Sequence, residues 1–94
     1  MWCTYSYFNK DLPQYIGKIE KITKSYAYIR YSNNKNPLAC ECWDLKFVKT
    51  FEKLEDVVIF FLNKNKEETL ESVKNRIFCC FEDDFNKINW DNLI

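Results

Sequence analysis

LACECWDLKFVKTFEKLEDVVIFFLNKN, residues 38–65, decides the fold, because the period of its apolar residues changes part-way along. Over 38–49 the residues alternate, and Trp43, Leu45 and Phe47 fall on one side, as in a strand. From Leu54 the repeat lengthens. Leu54, Val57, Val58, Phe61 and Leu62 stand at i, i+3, i+4, i+7 and i+8, the stripe of an amphipathic helix. The five residues Val57–Phe61 alone would also suit a buried strand.

Upstream of the switch the chain reads as strands. Residues 2–8, WCTYSYF, are rich in aromatics and end at the breaker NKDLP, 9–13. Residues 15–23 form a second candidate whose alternation slips at Gly17, which predicts a bulge there. SYAYIRY, 25–31, follows after a Thr23-Lys24 turn, so the two make a hairpin. SNNKNP, 32–37, is a loop. Downstream, Asn65 followed by Glu68 has the spacing of a capping box opening a second helix, with Leu70, Val73, Ile77 and Phe81 on one face. The tail carries Phe85, Ile88, Trp90 and Leu93, which predicts that it docks on the body. The fold class is α+β: an antiparallel sheet of about four strands followed by two helices packed on one face. One domain spans 1–94, with strands mainly in 1–50, two helices in 51–82 and a docked acidic-aromatic tail in 83–94.

A chain of 94 residues buries roughly two-thirds of its unfolded surface, enough for one core and little area for a deep cleft. Eight Phe, six Tyr and three Trp are more than that core holds, so some aromatics face water or a partner. Basic and acidic side chains balance at fourteen each, which removes net charge as a reason to bind nucleic acid. Their distribution is uneven: residues 1–50 sum to +4 and residues 51–94 to −4. Such a dipole can orient a partner without net attraction.

MWCTYSYFNK has neither the basic start nor the apolar run of a signal peptide, and VVIFFL, 57–62, is too short to span a bilayer. Five cysteines, an odd number, fit a reducing compartment, so a cytoplasmic protein with no membrane contact is expected.

Histidine is absent, which excludes histidine-dependent triads and the commonest nitrogen ligand for zinc. A single glycine cannot build a phosphate-cradling loop. Cys40-Glu41-Cys42 and Cys79-Cys80 lack the two-to-four residue spacing of structural zinc sites, and adjacent residues are too close for an ordinary disulfide. Free thiols acting as small apolar fillers are expected, with Cys79 pointing away from the second helix's stripe. No catalytic residue, metal or cofactor is assigned, and the chain is read as a non-enzyme.

Binding surfaces are what remain. In SYAYIRY, Tyr26, Tyr28 and Arg30 share one strand face, with Lys18, Lys21 and Lys24 nearby in the hairpin. That face would serve as a stacking platform for single-stranded RNA or DNA. On the first helix, Ile59 and Phe60 fall outside the stripe, which offers a self-association surface for a homodimer.

The compact, Asn-, Lys- and Ile-rich, aromatic-heavy chain resembles the small orphan proteins of phages and mobile elements in AT-rich bacterial genomes. Inhibitors of host defence, such as anti-CRISPR proteins, are frequent among them. The resemblance is one of size and composition and implies stoichiometric blocking of a host protein or nucleoprotein complex. Under it, an acidic pole of Glu67, Glu68, Glu71, Glu82, Asp83 and Asp84 would enter a cationic nucleic-acid channel by charge mimicry, or the tyrosine face would touch guide RNA.

Overall fold

A computed structural model describes residues 1–32 and 40–93. Five antiparallel strands form one sheet in the order β4-β3-β2-β1-β5. They are β1 (Trp2–Tyr5), β2 (Tyr15–Ile22), β3 (Tyr26–Arg30), β4 (Cys40–Asp44) and β5 (Val48–Phe51). Three helices follow: α1 (Leu54–Lys64), α2 (Leu70–Cys80) and the single turn α3 (Glu82–Phe85). The α+β reading therefore stands, with a fifth strand added.

That strand comes from the alternating stretch itself. Instead of one strand over 38–49, the chain makes β4, then a 3₁₀ turn at Leu45–Phe47, then β5 on the other side of β1. Asp44 ends β4 by accepting the amide of Lys46 at 3.0 Å. Alternation persists through the turn because Leu45, Phe47 and Trp43 still share one apolar cluster. The first strand is shorter than 2–8, stopping at Tyr5, and most of the predicted 32–37 loop, with Leu38 and Ala39, lies outside the described residues.

The sheet is bent into two leaves. In a flat five-stranded sheet the edge strands would be about 19 Å apart, yet here a three-residue turn with a rise of roughly 2 Å per residue joins them. The longest strand, β2, makes this possible. Its first half, Tyr15–Lys18, pairs with β1, and its second half, from Lys18 to Ile22, pairs with β3. The leaves β5-β1-β2 and β2-β3-β4 close on each other, burying Cys3, Tyr5, Ala27, Ile29, Trp43 and Val48 between them.

Two features sit at the bend. The register shift lies between Ile19 and Lys21, not at Gly17, so the bulge expected at the glycine is displaced to Glu20. Gly17 has a different job: a Cβ there would lie 2.3 Å from Ile29 Cγ2 and 2.9 Å from Tyr5 Cε1. Its missing side chain is the space in which the leaves meet.

The helices cover the other side of β1 and β2. Trp2 and Ile16 pack against Leu54, Val57, Val58 and Phe61 of α1 and Val73 and Ile77 of α2. Phe85, Ile88, Trp90 and Leu93 of the tail pack against the same cluster, so the tail is docked as expected. β1 is consequently buried on both faces, and all four of its residues are interior.

The predicted capping box at Asn65 is corrected. α2 starts at Leu70, with Thr69 Oγ1 accepting the amide of Ser72 at 3.1 Å. Asn65 closes α1 instead, donating from Nδ2 to the carbonyls of Phe61 (3.2 Å) and Pro13 (3.0 Å). Thr69→Ala should therefore cost about 1 kcal/mol in urea unfolding, and Asn65→Ala should leave the helicity of α2 unchanged by circular dichroism. The reverse ranking would restore the capping box.

Candidate aromatic binding site

The 6–14 connection between β1 and β2 is held by its own hydrogen bonds. Ser6 Oγ and the Tyr7 amide both donate to Gln14 Oε1, at 3.3 and 2.9 Å. The Phe8 amide donates to Ser6 Oγ at 3.1 Å, and the Asp11 amide to Asn9 Oδ1 at 2.8 Å. The loop presents Tyr7, Phe8 and Leu12 to water at 66, 71 and 52% exposure. Tyr7, Phe8 and Leu12 are thus large apolar side chains exposed on a hydrogen-bonded loop.

Beneath this loop, where the two leaves and α2 meet, is a cavity of about 320 Å³. Tyr5, Tyr7, Tyr15, Tyr31 and Trp43 line it, with the carboxylate of Glu41. Four of the rings form a closed circuit. Tyr5–Trp43, Trp43–Tyr7, Tyr7–Tyr15 and Tyr15–Tyr5 centroids are 4.9, 4.8, 6.0 and 5.3 Å apart. Trp43 Nε1 donates to Glu41 Oε2 at 2.9 Å, fixing the indole and carboxylate together. Burial, then nearby negative groups including Glu41, push the Tyr5 phenol well above its usual range, so it stays protonated.

Arg76 reaches the same cavity from α2. Its Nη2 pairs with Glu68 at 2.7 Å, Nη1 donates to the Gln14 carbonyl at 2.9 Å, and the guanidinium lies 5.0 Å from the Phe61 ring centre. The arginine thus pins the loop to α2.

Tyr26 and Tyr28 are exposed on the outer face of β3, as the strand reading required. Arg30 on that face pairs through Nε with Glu20, and Lys18 lies 5.2 Å over Trp2 and 3.8 Å from Asp84. Lys21 and Lys24 are exposed. The acidic residues do not gather into one pole. Glu67, Glu68 and Glu71 sit before and in the first turn of α2 and Glu82, Asp83 and Asp84 beyond its other end, about 16 Å of helix apart. Glu68 is engaged by Arg76 and Ser72 as well, so acidic and basic groups are interleaved.

Ile59 is exposed, whereas Phe60 is half-buried, 5.3 Å from Phe51 and with Lys49 4.9 Å over its ring. Cys79 and Cys42 are exposed, Cys3 is buried with its thiol pushed up to about 12, and burial also raises Cys80. Among the described residues no three His, Cys, Asp or Glu side chains gather as a metal ion would require, and no helix is long and apolar enough to cross a membrane.

The cavity itself is absent from the sequence reading. Its rings come from β1, the following loop, the start of β2, the residue after β3 and the second half of β4. The one available signal was in SYAYIRY: Ala27 and Ile29 face inward, and Tyr31 continues their alternation into the cavity, opposite to Tyr26 and Tyr28. Comparison of the chain with protein-family models, with curated proteins and with solved structures finds no match.

Proposed function

We propose that this protein is a non-catalytic binding module that acts by occupying a site on another macromolecule, with the loop 6–14 and the aromatic cavity as its contact surface. The observation that carries this reading is the concentration of exposed Tyr7, Tyr15 and Tyr31 at one cavity, on and beside a loop that also exposes Phe8 and Leu12. Aromatic side chains dominate binding energy at interfaces, and here hydrogen bonds within the loop hold the backbone amides of Tyr7 and Phe8, lowering the cost of ordering the loop. Blocking of a host-defence nucleoprotein, the activity implied by resemblance in size and composition to phage and mobile-element inhibitors, is the specific form we assign to this binding.

A second reading, contact with single-stranded nucleic acid, draws on exposed Tyr26 and Tyr28 beside Lys21. One experiment separates the two. Tagged wild type and a Tyr7→Ser/Phe8→Ser variant are pulled from host lysate with and without nuclease. Stoichiometric protein retained by wild type, resistant to nuclease and lost with the variant, is the expected result. Equal retention by both proteins overturns it, and complete loss after nuclease transfers the function to the tyrosine face of β3.

A further inference from the structure

The chain already shows how it holds cations. Lys18, Lys46, Lys49, Lys64 and Lys74 lie 4.9–6.0 Å from the ring centres of Trp2, Phe47, Phe60 and Trp90. Among the described residues, no such cation lies over Tyr5, Tyr7, Tyr15 or Trp43. Yet these four rings are set in a circuit, line the same cavity, and have a carboxylate beside them.

We propose that this cavity binds an alkylated ammonium group, held against the rings of Tyr5, Tyr7, Tyr15 and Trp43 and neutralised by Glu41. Three observations support it. The negative faces of several aromatic rings attract a cation, most strongly when it carries little water, as methylated ammonium does. Glu41 supplies the opposite charge and makes no ion pair among the described residues; its hydrogen bond from Trp43 Nε1 holds it at the cavity wall. The volume of about 320 Å³ lies at the small end of ligand pockets, suited to one head group or side-chain end rather than a run of nucleotides. Arg76 does not fill the cation's role, because its two terminal nitrogens are committed to Glu68 and the Gln14 carbonyl.

This proposal deepens the contact surface assigned above by naming the chemistry that its cavity selects. A partner could supply the group as a methylated lysine, and a free metabolite could supply it as a quaternary amine. Titrations by NMR, followed at the Trp43 indole N–H, distinguish them. The probes are choline, its uncharged carbon isostere 3,3-dimethyl-1-butanol, and a short peptide carrying either trimethyllysine or lysine.

Choline or the trimethyllysine peptide should bind at least about tenfold tighter than its uncharged or unmethylated counterpart. Tyr7→Ala, at an exposed position, and Glu41→Gln should each weaken the charged probe by about fivefold to tenfold while the remaining spectrum stays folded. Preference for choline identifies a free amine, and preference for the peptide identifies a modified protein. Equal binding of choline and its carbon isostere would show a merely apolar cavity and overturn the proposal. Failure of every charged probe overturns it as well. If the Tyr7→Ser/Phe8→Ser variant nevertheless loses its partner in the pull-down, the wider binding reading survives that failure.

Discussion

Phe81→Ala lowers unfolding stability by about 3–5 kcal/mol. Phe81 is 1% exposed at the junction of α2 and α3, its ring 5.0 Å from Trp2 in an edge-to-face contact at 82°. Its amide donates to Ile77 at 2.6 Å and its carbonyl accepts from Phe85 at 2.9 Å, so the backbone is fixed and cannot collapse into the vacated space. A chain of this length has a total stability of roughly 5–14 kcal/mol, so the variant loses a large fraction of it. Urea unfolding should show the loss as a lower midpoint at an unchanged slope. A shift below about 1 kcal/mol would mean that Phe85 or Trp90 moves in, and would make the docked tail a mobile filler. Phe81→Leu, which keeps most of the volume, should cost less than about 2 kcal/mol.

The second large effect has a sign that secondary-structure propensity gets wrong. Replacing a strand-interior glycine with alanine ordinarily gains roughly 0.5–1 kcal/mol through the unfolded chain. Gly17 has no positive φ, so the backbone itself would accept alanine. The space would not. The new methyl would lie 2.3 Å from Ile29 Cγ2 and 2.9 Å from Tyr5 Cε1, and both side chains are buried. Cγ2 branches directly from the Ile29 backbone-proximal carbon and cannot swing clear without a rotamer change. Gly17→Ala should therefore destabilise by about 3 kcal/mol, a change of roughly 4 kcal/mol from the propensity expectation. Because Tyr5 is one of the displaced neighbours, the Trp43 indole signal should move in the same variant. A stabilised variant with an unshifted indole would show that the leaves separate at no cost.

The sequence made β1, the β2–β3 hairpin, the stripe of α1 and the docking of the tail legible, because each is written in local period or in apolar content. Leu54, Val57, Val58 and Phe61 are all buried, as their spacing required. The break of 38–49 into β4 and β5 was not legible. A 3₁₀ turn at Leu45–Phe47 keeps its apolar residues on the interior side, so alternation runs through it unbroken. Nor could residue spacing reveal the cavity, whose rings meet only because β2 is shared by both leaves. Charge was misleading for a related reason. Counting by halves of the chain suggested poles, but Lys18 meets Asp84 across the fold and Arg76 pairs with Glu68 within the acidic half.

The central place of β1 sets an order of assembly. Among the strands β1 is made first, whereas Val48–Phe51, which completes its second side, is made more than forty residues later. At about 5–20 residues per second the delay is on the order of several seconds. During it, β2 can pair with one edge of β1 while the other edge stays open, an unprotected template for a neighbouring nascent chain. Docking of β5 ends that interval, and until then this small protein is most open to being captured by copies of itself.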